Sequence, residues 1–490
     1  MTYVIKINDT HQILLPLTRY FYHMNISFHG AARVVTGSKH IVQLDNGKRL
    51  LLDCGMFQGH PQEADRLNRE WGFDPKEIDY MVLSHAHIDH CGLIPKLIRE
   101  GYKGKIYCTP ATLDMAKILM QDSARIQEGD THFLNKKLAK QKKPLVESLY
   151  TEEDAEATIP HFITVPYDQS FAIDENIDLL FTDAGHIIGS AVVNLRIKDQ
   201  KGKVTRITFS GDVGRYGDDI IKSPQPFPQA DIIIIESTYG DKLHEPSDLS
   251  AKKLLDIIVD TCLKKKGNLI IPAFSVGRTQ EIIYTLNQLD VQHLLPPLDF
   301  FIDSPLSLEA TEVTKNHPEC FNEDLIEFMK KDPTPFDFKN LHYIRSVEES
   351  KALNDRKEPC VIISASGMAD AGRVKHHIAH NIGDSRNTIL LVGYCEPSSL
   401  GARLARGDKD ITIFGEPYKV LAEVKELRAF SAHGDYEDLC QFLSCQDPKQ
   451  IKTLFLVHGE YDVQQVFRSK LLKRGFSTIE IPQLHQQYAI

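Results

Sequence analysis

Ser84-His85-Ala86-His87-Ile88-Asp89-His90 decides how this chain is read. Three histidines and one carboxylate stand within six positions, spaced H-x-H-x-D-H. Imidazole and carboxylate ligands at that density suit zinc or a similar first-row metal. The apolar run Tyr80-Met81-Val82-Leu83 just before it reads as a buried strand. On extended backbone, side chains two residues apart project to the same side, so His85 and His87 point together. Asp89 and His90 follow the turn and open Leu93-Ile94-Pro95-Lys96-Leu97-Ile98, which reads as a helix. One pair then serves one ion and the other pair a second ion close by.

Bulk properties set the frame around this segment. The 490 residues suffice for two or three domains with cores of their own. With 42% hydrophobic and 25% charged residues, extensive disorder is excluded. A net charge of −10 excludes a protein that coats nucleic acid by bulk charge. Any phosphodiester must be attracted locally, by metal ions and a few Arg and Lys in a cleft. The nine cysteines are scattered, odd in number and without a C-x-x-C pair, so neither a disulfide framework nor a zinc finger is indicated. Reduced thiols in a cytoplasmic protein fit that pattern. No run approaches the roughly 18 apolar residues of a membrane span, and no signal-peptide pattern opens the chain. Residues 1–23 lack periodicity and read as an extension, or as sequence upstream of a start at Met24.

Outward from the histidine segment, residues 24–243 are strand-rich, with strands at 26–28, 40–44, 49–53, 80–83, 105–108, 177–181, 191–197, 204–210 and 232–236. Helical patterns occupy about 92–100 and 111–126. The polar, Lys-rich stretch 127–150 reads as a solvated helix face or loop. Residues 244–416 alternate helix and strand: helices at 250–266 and 278–288, strands at 267–274, 299–303, 360–364 and 388–392. That alternation predicts an α/β domain with a largely parallel sheet. Residues 417–490 add a helix at 436–444, a strand at 452–457 and a helix near 462–474.

Further ligand-type residues sit at the ends of apolar strands beside glycine: Asp53 in L-L-D-C-G, His186 in T-D-A-G-H, Asp212 in F-S-G-D-V-G, Glu236 in I-I-I-E-S-T, His433 in F-S-A-H-G and His458 in F-L-V-H-G-E. Each alone is weak, since a lone strand-end histidine is commonly structural and a lone Asp beside Gly commonly a turn. Their order and combination carry the weight. H-x-H-x-D-H, a later His, a later Asp and a terminal His resemble the metallo-β-lactamase superfamily. Glu236 in E-S-T-Y-G-D, His433 in F-S-A-H and His458 in L-V-H-G-E resemble its nucleic-acid-processing branch, the β-CASP nucleases. Within that branch the chain is similar to bacterial and archaeal ribonucleases akin to the endonuclease subunit of the eukaryotic mRNA 3′-end cleavage machinery.

The resemblance implies an α/β protein: a metallo-β-lactamase αββα sandwich (24–243 and 417–490, the latter the RNA-metabolising segment) carrying an inserted β-CASP cap (244–416). It implies two Zn2+ per chain. His85, His87 and His186 hold one, Asp89, His90 and His458 the other, and Asp212 bridges them. Histidine–carboxylate sites also accept manganese. Asp53 orients the ligands from behind, Glu236 orients His433, and His433 is the general acid; Asp89 counts among the catalytic residues. The implied function is a zinc-dependent hydrolase of single-stranded RNA, with a hydroxide shared by the two ions as nucleophile. The absence of an extra C-terminal domain favours endonuclease over 5′-exonuclease action. Arg278, Ser366, Arg373 and Arg403, in or beside Gly-rich turns of the cap, are candidates to bind substrate phosphate. A small-molecule ester, thioester or lactam hydrolase would not need Glu236, His433 or the insertion, and a non-catalytic RNA-binding subunit would not keep every ligand. DNA-repair members of the branch usually lack a histidine where His458 stands. RNA is the expected partner, no membrane is expected, and a homodimer stays open.

Overall fold

The computed structural model describes residues 24–244, 250–393, 395, 399–427 and 431–490; the expected N-terminal extension, 1–23, lies outside them. Two seven-stranded sheets face one another. The first runs Gln487–Ala489, Asn25–Phe28, His40–Gln43, Arg49–Leu52, Tyr80–Val82, Lys105–Cys108, Phe162–Thr164. The second runs Ile479–Glu480, Thr453–Leu456, Ile232–Ile235, Val204–Phe209, Ala191–Lys198, Ile177–Asp183, Phe171–Asp174. Both mix antiparallel hairpins with parallel strands. Residues 453–489 therefore complete sheets begun more than two hundred residues earlier.

The two-residue period of a strand explains the layering. In Ile232–Ile235, Ile232 and Ile234 join Phe28, Leu52, Phe181 and Phe455 in the core between the sheets. Ile233 and Ile235 point the other way, into the core formed with Leu439, Phe442 and Phe467. Leu50 and Leu52 likewise face inward while Leu51 faces the outer helices. Each such side chain removed from water stabilises the fold by about 1.5–3 kcal/mol. Four apolar residues in a row thus mark a strand covered on both faces.

The inserted region forms a six-stranded parallel sheet ordered Leu341–Tyr343, Asp299–Ile302, Cys360–Ser364, Leu269–Pro272, Thr388–Leu391, Glu423–Glu426. Leu269, Ile271, Phe300 and Ile363 bury one face; Ile270, Phe301 and Ile362 bury the other. The sheet extends past the expected boundary at 416, because Glu423–Glu426 pairs in register with Thr388–Leu391. This edge strand is polar and partly exposed, which hid it from an apolar pattern.

The helix expected over 92–100 is present as Ile94–Arg99, with proline in its first turn, and a separate short helix, Ile88–Cys91, precedes it. Two other helices depart from expectation. The helix expected over 250–266 is α-helical over Ser250–Ile258 and then widens to π geometry through Val259–Lys264. The helix expected over 111–126 runs on to span Pro110–Lys140, so the Lys-rich stretch is mostly helix. Among the described residues no helix is long and apolar enough to cross a membrane. All nine cysteines are free thiols.

Candidate metal centre

The expected ligands lie just beyond the ends of strands of the two facing sheets, with Asp89 and His90 on the short helix Ile88–Cys91. Asp53 follows Arg49–Leu52 and His458 follows Thr453–Leu456; both take left-handed backbone, φ 57° and 50°. That conformation is costly for a residue with a Cβ and turns each side chain sharply off its strand. Glycines allow the loops to close up. A Cβ on Gly55 would strike the carbonyl of Asp89, and one on Gly214 the carbonyl of Gly185, beside His186.

The structure brings seven sequence-predicted ligands together. His85, His87, His186 and Asp212 place one ligand atom each within 4.8 Å of one another, and so do Asp89, His90 and His458. His87 Nδ1 lies 3.2 Å from His85 Nε2 and 3.1 Å from His186 Nε2. Asp212 Oδ2 is 3.6 and 3.5 Å from those two Nε2 atoms, while its Oδ1 is 3.3 Å from His90 Nε2 and 3.6 Å from His458 Nδ1. Asp212 therefore offers one oxygen to each group. His458 Nε2 lies 3.2 Å from Asp89 Oδ2.

Hydrogen bonds made by the far ring nitrogens fix the tautomers. His186 Nδ1–H donates to the Ala432 carbonyl at 3.1 Å, and His85 Nδ1 meets Ser84 Oγ at 3.1 Å. His90 Nδ1 meets Asp53 Oδ2 at 2.6 Å. Asp53 is itself held by the Ser84 backbone N–H (2.8 Å) and the Ser84 hydroxyl (2.9 Å). Burial, then the neighbouring imidazoles, holds His85 and His186 well below the usual imidazole range. Their Nε2 atoms therefore present bare lone pairs at neutral pH. For His90 burial works the same way, but the charges of Asp212 and Asp53 overcome it and raise the group well above that range. Asp212 Oδ1 is buried and accepts no well-formed hydrogen bond. Imidazole nitrogens 3.1 and 3.2 Å apart and a buried carboxylate oxygen without a hydrogen bond converge as lone pairs that a cation satisfies. The donor set of imidazoles and carboxylates fits divalent cations, with second-layer partners in place.

His433 stands at the rim, its side chain 23% exposed. Its Nδ1 is 3.2 Å from both oxygens of the fully buried Glu236. Burial pulls its pKa down, but the charge and hydrogen bond of Glu236, with Asp212 and Asp89 behind, raise it to about 9. His244 Nε2 lies 2.9 Å from the His433 carbonyl oxygen and braces the loop. Glu236 has further duties: it accepts from the Val213 N–H at 2.6 Å and from the Thr238 hydroxyl at 2.6 Å. Thr238 Oγ1 in turn lies 3.0 Å from His458 Nδ1. One buried carboxylate thus positions His433, the backbone beside Asp212 and, through Thr238, a ligand of the second group.

Thr238, Ser84, His244 and the Ala432 carbonyl were not singled out by sequence. The available signal was adjacency: Ser84 precedes His85, Thr238 follows Glu236 by two, and Ala432 precedes His433. The four phosphate candidates lie in the inserted α/β region. Arg278 is buried and ion-paired with Glu281. Arg373 meets the fully buried Asp303 at 2.6 Å and the Arg345 carbonyl at 3.0 Å. Arg403 lies 3.5 Å from Asp408. Ser366 is half-buried in the turn after Cys360–Ser364.

Comparison with known proteins adds to this geometry. Residues 38–259 match the metallo-beta-lactamase superfamily, 279–404 the Beta-Casp domain, and 417–482 the Zn-dependent metallo-hydrolase RNA specificity domain. Ribonuclease TTHA0252 of Thermus thermophilus is 34% identical over 452 residues, covering 92% of this chain and 97% of that protein. The chain belongs to the β-CASP branch of the metallo-β-lactamase superfamily. As a β-CASP protein it is a metal-dependent hydrolase. It is also 30% identical to an RNase J-like protein of Methanocaldococcus jannaschii, covering 93% of this chain and 96% of that one. The transcription termination factor FttA of Methanosarcina mazei is 31% identical over 84% of this β-CASP chain, which spans 63% of that longer protein. A crystal structure of a protein of unknown function from Enterococcus faecalis V583 superposes on 96% of this chain and all of its own, with a TM-score of 0.52 at 12% identity, and shares the fold.

Proposed function

We propose that this protein is a two-zinc ribonuclease that hydrolyses phosphodiester bonds within single-stranded RNA. The observation that carries the reading is the pair of ligand groups sharing Asp212, with His433 held by Glu236 at their open side. The names of the relatives and the RNA specificity domain support RNA as the substrate. His85, His87, His186 and Asp212 would hold one ion, and Asp89, His90, His458 and Asp212 the other. Such ions would supply a water activated at neutral pH and positive charge beside the phosphoryl oxygens.

The chain's own residues do the rest. Glu236 engages His433 Nδ1 and leaves Nε2 free to carry a proton toward the cleft. Burial works against a charge on this imidazole, and the Glu236 carboxylate beside it favours the protonated form. The sugar oxygen that leaves phosphorus takes the proton from His433, as in general-acid catalysis. The phosphorus–oxygen bond to the 3′ oxygen breaks, giving one product with a 3′-hydroxyl and the other with a 5′-phosphate. Asp53, Ser84 and Thr238 keep the ligand imidazoles turned toward the cleft.

The test is cleavage of an end-labelled single-stranded RNA and the same sequence as DNA, by zinc- and manganese-loaded protein. Internal cuts in RNA alone, slowed in His433→Ala with metal retained, are the expected result. Intact RNA with zinc bound would refute the reading; stepwise shortening from the 5′ end would refute its internal-cutting part.

A further inference from the structure

The helix Pro110–Lys140 does two things along its length. Its first half is anchored beside the metal centre. Thr109 and Thr112 hydroxyls both donate to the Gly189 carbonyl, at 2.7 and 2.8 Å, three residues after His186. This half packs against Ile88–Cys91 and against the cap helix Pro305–Asn316, so it lies in the seam between the domains. Its last buried residue is Ala124. The remaining four turns run about 24 Å further, at 1.5 Å per residue, first beside Glu152, whose N–H donates to Glu128 at 3.2 Å, and then projecting beyond it. Beyond Lys140 the chain folds back, tied by Asn135 to the backbone N–H and carbonyl of Val146, each at 2.9 Å.

The composition of this projection departs from the rest of the chain. Residues 131–146 hold Lys136, Lys137, Lys140, Lys142 and Lys143 and no acidic residue, in a protein of net charge −10. All five lysines are exposed, and none is ion-paired to a described residue. Phe133 is 76% exposed among them. Lysines are point charges suited to phosphates, and an exposed ring is a platform for any base. Five like charges without an acid repel a second copy of the same surface.

We propose that residues 131–146 form an arm that binds the backbone and bases of single-stranded RNA lying outside the cleft, without reading its sequence. This rests on the ribonuclease reading above. The arm makes the enzyme prefer long RNA: a short strand fills the cleft, and a longer one also reaches the lysines and Phe133.

The test uses full-length, metal-loaded His433→Ala protein, so that RNA stays intact, and fluorescence anisotropy with labelled RNAs of about 6 and about 24 nucleotides. One variant changes the five lysines to glutamine; another, less disruptive, is Phe133→Ala. Circular dichroism checks that both keep their helix. The expected result is a Kd for the long RNA weakened at least about tenfold by the lysine changes and about fivefold by Phe133→Ala. The slope of log K against log salt should fall by up to about 3.5, and the preference for long over short RNA should disappear. Unchanged affinity and slope for the long RNA would overturn the arm alone, if the short RNA is still bound. A change in sedimentation without a change in RNA affinity would make the arm a protein contact and overturn it too. Failure of the parent protein to bind either RNA would overturn the ribonuclease reading together with the arm.

Discussion

In the metal-binding half, Lys39 is fully buried against two carbonyl oxygens, Gly37 at 3.0 Å and Gly55 at 2.8 Å, with its ammonium 4.2 Å from the Phe57 ring centre. Among the described residues no carboxylate answers it, and Asp53, Asp89 and Asp212 of that half converge on the histidine cluster while others pair with Lys48, Arg196 and Arg206. In the cap the arrangement is reversed: Arg278, Arg373 and Arg403 each meet a carboxylate of their own domain. One half keeps its negative and lone-pair groups open for a cation it must receive. The other has its cations already compensated. Each of these three arginines already has an ion-pair partner within its own domain.

The comparison can be broken most forcefully at Asp212. Asp212→Ala should abolish binding of both ions, measured by elemental analysis, and slow cleavage by more than any other single change. His433→Ala should leave the metal content intact and slow cleavage by about 10²–10⁴-fold. Loss of metal from that variant would make His433 a ligand, a role its grouping with Asp212, Glu236 and His458 also permits by distance. Asp53→Asn should weaken metal affinity by about 10–100-fold, read by competition with a chelator.

The cap side of the comparison is tested through stability. Arg373→Ala removes one charged partner of the fully buried Asp303, which keeps His377 at 2.6 Å and Ser350, and should cost about 1.5–3 kcal/mol in denaturant unfolding while changing RNA affinity little. A variant that kept its stability but lost RNA affinity would restore Arg373 as a phosphate ligand. Lys39 supplies the smallest effect and a pH dependence. Burial lowers its pKa from 10.5 to about 7. The folded state disfavours the charged form, so stability is greatest above the unfolded value and is lost as pH falls through about 7. Unfolding at pH 7 and pH 9.5 should differ by about 1–3 kcal/mol from this group, and Lys39→Met should remove the difference.

The metal centre was legible because its residues are distinctive types at strand ends in short motifs. His85, His87, Asp89 and His90 could be assigned to adjacent sites from spacing alone, and the later motifs gained meaning from their order. Groups that act through a hydroxyl or a carbonyl left less trace: Thr238 and Ala432 look like ordinary loop residues until their partners are in place. The internal partners of the arginines were hidden for a related reason. Arg373 is answered by Asp303, seventy positions away, and no local pattern reports that contact. The projecting end of Pro110–Lys140 lacks an apolar face because it packs on little, so periodicity ended where burial ended, near Ala124.

The most direct measurement is anomalous X-ray scattering at the zinc absorption edge from crystals of the zinc-loaded protein. The account predicts two peaks about 3.5–4 Å apart, one among His85, His87 and His186, the other among Asp89, His90 and His458, with Asp212 touching both and His433 touching neither. A single peak, or one coordinated by His433, would contradict it.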